Sequence, residues 1–285
     1  MPVPPALAEL ARYARPRALR WEHPTAVAEP RYPAADELDM LVALGTLGVL
    51  STAQIHRRFL AGLSPRGVRH RLWSMAAQGW LRRGHLLCAG PGQTPRICAL
   101  TDTGRALVDA RSRVGSFEVV WDDLEQVVHA LHVAAWWLAF ERTAGGQVAG
   151  MRRPAGARRT VPDLVLEMAP RSALACAVVA VLRPLVSITA LEARLDRLDT
   201  WADGSSGTVV LLVLPDEPTA IAVARAIAVR VDRARADGTQ PVWLRRVHLT
   251  SELDIHHARL RALTLRPAQT EMRTEVALVD LLARR

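Results

Sequence analysis

The stretch STAQIHRRFLAGLSPRGVRHRLWSMAAQ, residues 51–78, decides how the first third of the chain is read. Ser51 stands where a side-chain oxygen caps a helix, and Ile55 and Phe59 follow at helical spacing. Gly62 stops that helix. Ser64-Pro65 opens another, because Pro has φ already set for the first helical position and no N–H to lose there. It runs to about Gln78, with Val68, Leu72 and Met75 on one stripe. Two short helices joined by a tight Gly-containing turn form the helix-turn-helix pattern.

Outward from this pair the signals continue. Asp36 is the expected N-cap of a preceding helix carrying Leu38, Leu41, Val42 and Leu44, and Gly48 ends it. On the other side, Leu81–Leu87 reads as a strand, AGPGQTP (89–95) as a turn and Arg96–Leu100 as the returning strand. Thr101-Asp-Thr-Gly-Arg105 starts a closing helix that ends near Arg113. Three helices, a hairpin and a helix over residues 36–113 describe a winged helix-turn-helix. Residues 1–35, rich in Pro, Ala and Arg, read as a flexible solvated tail with a short helix possible at Leu7–Tyr13. The other reading is a basic arm that adds phosphate contacts through Arg12, Arg15, Arg17 and Arg20.

After a linker at 114–117, EVVWDDLEQVVHALHVAAWWLAFERT (118–143) reads as one long helix with Trp121, Leu124, Val128, Leu131, Ala135 and Leu138 on its apolar stripe. Gly145-Gly146 ends it. Strands are expected at 148–152, 161–168, 175–182, 208–214 and 241–247, with helices at 188–201 and 218–236. AVVAVL (177–182) and VVLLVL (209–214) are continuously apolar, as in strands covered on both faces. This is an α/β domain, 118–250, with a mixed sheet. Residues 251–285 read as a tail with a helix at Thr270–Leu282. The whole is α+β.

Composition bounds the function. The chain has 285 residues, half of them apolar, which excludes wholesale disorder. No apolar run approaches the ~18 residues of a membrane-spanning helix. The first residues lack the pattern of a secretory signal. Cys88, Cys98 and Cys176 are odd in number with no CxxC spacing, which argues against a disulfide framework or a zinc site and suits a reducing cytoplasm. All 37 basic residues are Arg, and the net charge is +9. Residues 1–115 hold 16 Arg and 8 acids, a net of +8, whereas the remainder is near neutral. A basic first third points to a polyanion.

Double-stranded DNA is the partner this pattern implies. Opposite the apolar stripe of the third helix stand Arg66, Arg69, His70 and Trp73, with Arg71 at the edge. Arg66 and Arg69 are the expected base readers, since a planar guanidinium pairs with guanine O6 and N7 together; His70 and Arg71 are secondary candidates. Thr52 and Ser64 lie at helix starts, where hydroxyls and N–H groups meet phosphate. Arg57 and Arg58 end the helix that crosses the backbone. Arg82, Arg83, His85 and Arg96 lie on or beside the hairpin and are expected to contact phosphate or the minor groove. The alternative is a protein-binding adaptor with a solvated basic face.

GWLRRG (79–84) followed by RICALTDTGRALV (96–108) looks like the corresponding stretch of many bacterial winged-helix regulators. With LEQVVHALHV (124–133), VPDLVLEM (161–168) and ACAVVAVLRPLVSITALEARLDRLDTW (175–201), the chain resembles the replication-relaxation family of actinobacterial plasmids and mobile elements over roughly residues 36–250. The resemblance implies a role in plasmid or mobile-element replication, transfer or transcriptional control. It also implies a second domain similar to PD-(D/E)xK nucleases. Such a nuclease binds Mg²⁺ through the Asp of Pro-Asp and an acid on the next strand, with a Lys two residues on. Here Pro162-Asp163 is followed by Val179 and Val181 at those places, and no acid lies between Arg171 and Thr189. No nuclease activity, metal or cofactor is therefore expected, and Asp163 is expected in a turn, at a strand edge, or paired with Arg158 or Arg159. A divergent nuclease or relaxase accessory would need Glu167 or Glu192 to supply the acid. Asp254, His256 and His257 read as a surface cluster. His129 and His132, with Glu125, read as a polar helix edge. Further candidate partners are a second copy of the chain in a homodimer, with Trp136, Trp137 and the C-terminal helix as contact surfaces, and replication or transfer proteins.

Overall fold

The computed structural model describes residues 13, 16–23, 29–88, 94–111, 117, 119, 121–144, 148–154, 162–169, 176–181, 191, 193–194, 197–198, 208–239, 247–251, 261–264 and 274–277. The fold is α+β, and the chain divides into two compact units, Met1–Leu138 and Ala139–Arg285.

In the first unit, helix α1 spans Ala35–Leu47 and buries Met40, Leu41, Leu44 and Leu47. Its N-cap is Ala34 rather than Asp36, and the Glu37 carboxylate accepts the Ala34 N–H (3.0 Å). Asp36 lies in the first turn, where its negative charge favours the helix N-terminus. Gly48, at φ 83°, ends α1. Strand β2 (Leu50–Ser51) leads into α2, Thr52–Phe59. Ser51 Oγ accepts the Gln54 N–H (3.0 Å) while the Gln54 side chain accepts the Ser51 N–H (2.7 Å), a reciprocal capping box. The remaining amide of Gln54 donates to the Leu131 carbonyl (3.0 Å), so the cap also ties down a distant segment. Ser64 Oγ accepts the Gly67 N–H at the start of α3, Pro65–Ala77.

Strands β3 (Leu81–Cys88) and β4 (Arg96–Leu100) form the expected antiparallel hairpin, with Leu81 opposite Leu100 and His85 opposite Arg96. Thr101 caps α4 (Asp102–Asp109) by accepting the Gly104 N–H and donates to the Gly79 carbonyl. Gly104 packs so close to the Trp80 carbonyl that no Cβ would fit.

Residues 16–21, expected in a solvated tail, instead form strand β1, Pro16–Trp21. The sheet order is β1-β3-β4-β2. Leu19 and Trp21 pack onto the core of this unit, and Trp21 meets Trp121 edge-on at 5.0 Å. The apolar alternation Leu19/Trp21 is enough for a strand once β3 offers its edge.

The long helix, α5, spans Leu124–Ala144 and starts six residues later than expected, because Asp123 caps it by accepting the Gln126 N–H (3.0 Å). Val127, Ala130, Leu131 and Ala135 join Tyr13, Val49, Leu86 and Ile97 in one buried cluster. The boundary at 114–117 expected from the sequence is thus displaced into α5. The first half of that helix is core material for the first unit.

The second unit is built on β5 (Val148–Arg152), β6 (Leu164–Met168), β7 (Cys176–Val181), β8 (Thr208–Leu214), β9 (Val247–Ser251), β10 (Arg261–Thr264) and β11 (Thr274–Ala277), ordered β11-β10-β9-β8-β7-β6-β5. Pairs β7–β8 and β8–β9 are parallel and the others antiparallel, so the sheet is mixed. All seven residues of β8 are buried. Helix α6, Glu217–Ala236, is capped by Asp216, which accepts the Thr219 N–H (2.8 Å). It covers one sheet face with Val223, Ile227 and Val231 against Val210, Leu212, Val247 and Leu249. Helical residues 191, 193–194 and 197–198 add Leu191 and Leu198 to the same cluster.

Two expectations for the C-terminus are overturned. The strand expected at 241–247 is described only from Val247, and it continues to Ser251. The helix expected at Thr270–Leu282 is a strand where it is described, since Thr274–Ala277 pairs with β10. The described residues beyond 250, at 251, 261–264 and 274–277, therefore belong to the sheet and not to a separate tail. Among the described residues no helix is long and apolar enough to cross a membrane.

Candidate nucleic-acid interface

Helix α3 carries its two faces as its sequence requires. Val68, Leu72 and Met75 are buried, and Arg66, Arg69, His70 and Trp73 are exposed. Arg66, Arg69, His70, Trp73 and Ser74 line an open cleft of about 650 Å³. A second groove of about 630 Å³ is lined by Pro65, Val68 and Arg69 of α3, by Ser51, Thr52, Ala53 and His56 around the start of α2, and by His85, Thr94, Pro95 and Arg96 of the hairpin. Arg69 lies on both. The arrangement brings Thr52, Arg69, His85 and Arg96 together from four consecutive elements, α2, α3, β3 and β4. His56 donates to the Leu63 carbonyl (3.0 Å) and so braces the turn that sets α2 against α3.

Arg71 is not at a free edge. Its guanidinium reaches α1, 3.0 Å from Asp36 and 3.2 Å from Glu37. Glu37 is fully buried and also takes Arg31 in a two-pronged pair at 2.7 Å on each side. Burial alone would push the Glu37 carboxyl up, but Arg31, the Ala34 N–H and Arg71 outweigh it and hold it below the ordinary carboxylate value. Arg71 is therefore an orienting residue for α3, and neither Asp36 nor Glu37 was read as its partner from the sequence.

Arg82 and Arg83 also depart from expectation. Arg82 turns inward, its guanidinium 4.3 Å from the ring centres of both Trp21 and Trp121. Arg83 is buried and pairs with Glu22 at 3.0 Å. His85 donates to the other oxygen of Glu22 at 2.6 Å. These contacts fasten β1 to the hairpin, so the first two arginines hold the fold together and do not present charge outward. Glu22 was missed because its strand was read as tail. Ser64 is exposed but lines neither groove. Arg57 and Arg58 are exposed on the last turn of α2 but line neither groove, and the Arg58 guanidinium lies 5.3 Å over Phe59.

In the second unit, Asp163 is buried at the mouth of β6. Its carboxylate accepts the Val181 N–H (2.7 Å), and its own N–H donates to the Val179 carbonyl (2.8 Å). Burial pushes the nearby Arg153 guanidinium down to about 10, against the upward pull of Asp163. Val179 and Val181 are fully buried. Glu167 is exposed and 3.7 Å from Arg152. Arg158, Arg159, Glu192, Asp254, His256 and His257 lie outside the described residues. His132 is buried and His129 half-buried on α5, and Trp136 and Trp137 are buried, which corrects their reading as a dimer surface. All three cysteines are free thiols, with Cys98 pushed up to about 12 by burial. Among the described residues no three His, Cys, Asp or Glu side chains are grouped to hold a metal.

No family model, no curated protein and no solved structure matches the chain.

Proposed function

We propose that the chain is a sequence-preferring double-stranded DNA-binding protein with a winged helix-turn-helix, in which α3 enters the major groove and β3–β4 is the wing. The observation that carries this reading is the contrast on α3. Arg66 and Arg69 stand exposed at its N-terminal turns, with no acidic partner among the described residues, while Arg71 is taken up by α1. The first turns of such a helix are the ones that reach base edges. The order of three helices, hairpin and helix supports the same reading.

The second unit serves as a scaffold or partner-binding layer of the PD-(D/E)xK kind without its catalysis. In support, the Asp163 carboxylate caps the Val181 N–H, and β7 offers valines where a second acid and a Lys would be needed. The setting follows from the resemblance to replication-relaxation proteins: replication, transfer or transcriptional control of a mobile element in the cytoplasm.

A gel-shift salt titration tests the reading. Affinity should fall steeply with salt, with a slope of about −0.9 for each phosphate neutralised. Arg66→Ala with Arg69→Ala should relax sequence preference by about 1–3 kcal/mol for each base-reading guanidinium removed. Binding that is flat with salt would replace this reading with a protein-binding adaptor.

A further inference from the structure

Strand β1 alternates sides: Leu19 and Trp21 pack onto the core of the first unit, and Arg20 between them belongs to the opposite face. The register places Arg20 opposite His85 and His85 opposite Arg96. Directly opposed residues share a face, so Arg20, His85 and Arg96 form one row across β1, β3 and β4. His85 and Arg96 line the same groove as Arg69. Neighbouring strands are about 4.8 Å apart, so β1 carries this polar row, with Arg20 and Arg96 at its two ends, about 10 Å outward from β4. Arg17 and Arg20 are exposed; Arg20 lies in the regularly paired stretch, and Arg17 sits at the register shift between Pro16 and Ala18, further along the strand from the pairing with His85. Glu22, the nearest acid in sequence, is held by Arg83 and His85.

We propose that β1 is a phosphate-gripping strand. Arg17 and Arg20 hold the backbone of duplex DNA beside the segment read by α3, without regard to sequence. This rests on the DNA-binding reading above and adds to it an element outside the three helices and the hairpin.

The test is a salt titration of the full chain on a random-sequence duplex, comparing the unaltered protein with Arg17→Ala/Arg20→Ala and with Arg17→Lys/Arg20→Lys. The alanine pair should lower the slope by about 1.8, which narrows the affinity span between about 50 and 200 mM salt roughly tenfold. The lysine pair should restore the slope, because a phosphate contact of this kind needs only the charge. Sequence preference, measured on a selected site, should be unchanged in both. An unaltered slope in the alanine pair, or a loss that lysine does not restore, overturns the role of β1 while leaving α3 as the reader. An unaltered protein that binds duplex without salt dependence overturns both.

Discussion

Arg69 and Arg71 are two residues apart on α3, yet one faces solvent and the other is bound to Asp36 and Glu37. Residue type does not separate them; position on the helix and the neighbour across the gap do. Glu37 joins Arg31, the Ala34 N–H and Arg71 at one buried point. Glu37→Gln should destabilise the first unit by about 1–3 kcal/mol, a value discounted because both arginines remain partly exposed. Its folded carboxyl lies below the ordinary value. Its contribution is therefore complete at neutral pH and lost as pH falls through the folded value. Urea midpoints should show this at an unchanged m-value. Arg71→Ala should likewise lower the midpoint but leave the salt slope of DNA binding intact; a slope lowered by about one would make Arg71 a phosphate contact after all.

Helices were legible as elements where a side chain caps its own start. Ser51 with Gln54, Ser64 with Pro65 and Thr101 each satisfy N–H groups within three residues, so the signal is local. β1 was not legible, because a six-residue strand among Pro and Arg exists only when β3 supplies its hydrogen bonds. The same holds for β11, whose partner is β10. Asp163 belongs at this scale, since its carboxylate joins the mouth of β6 to β7. Asp163→Ala leaves the buried Val181 N–H without that acceptor and should cost the second unit about 1–3 kcal/mol. A supercoiled-plasmid nicking assay with Mg²⁺ or Mn²⁺ should show no cleavage by the unaltered protein. Cleavage that disappears in Asp163→Ala would instead make this carboxylate catalytic.

At the scale of the molecule, acid should act on the two units through different groups, Glu37 in the first and His248 in the second. His248, on β9 in the second unit, is 4% exposed, and burial pushes its pKa from 6.5 down to about 4. The unfolded chain takes up a proton there before the folded one does. Stability is therefore lost as pH falls from about 6.5 toward 4, by up to about 3 kcal/mol. Thermal melts should show this loss in the second unit, and His248→Gln should flatten it relative to the unaltered protein. An identical pH profile in the variant would mean that other groups govern the acid response.

The sequence by itself determined the caps, the two faces of α3, the apolar central strands and the basic first third, because each is set by neighbours a few residues away. Tertiary structure alone decided which arginines face outward, that β1 joins the hairpin, that the units divide within α5 and that Asp163 serves as a cap. A charge is neutralised, and a strand edge satisfied, only by a partner brought close in space. Glu22 with Arg83, and Asp36 with Arg71, are such partners.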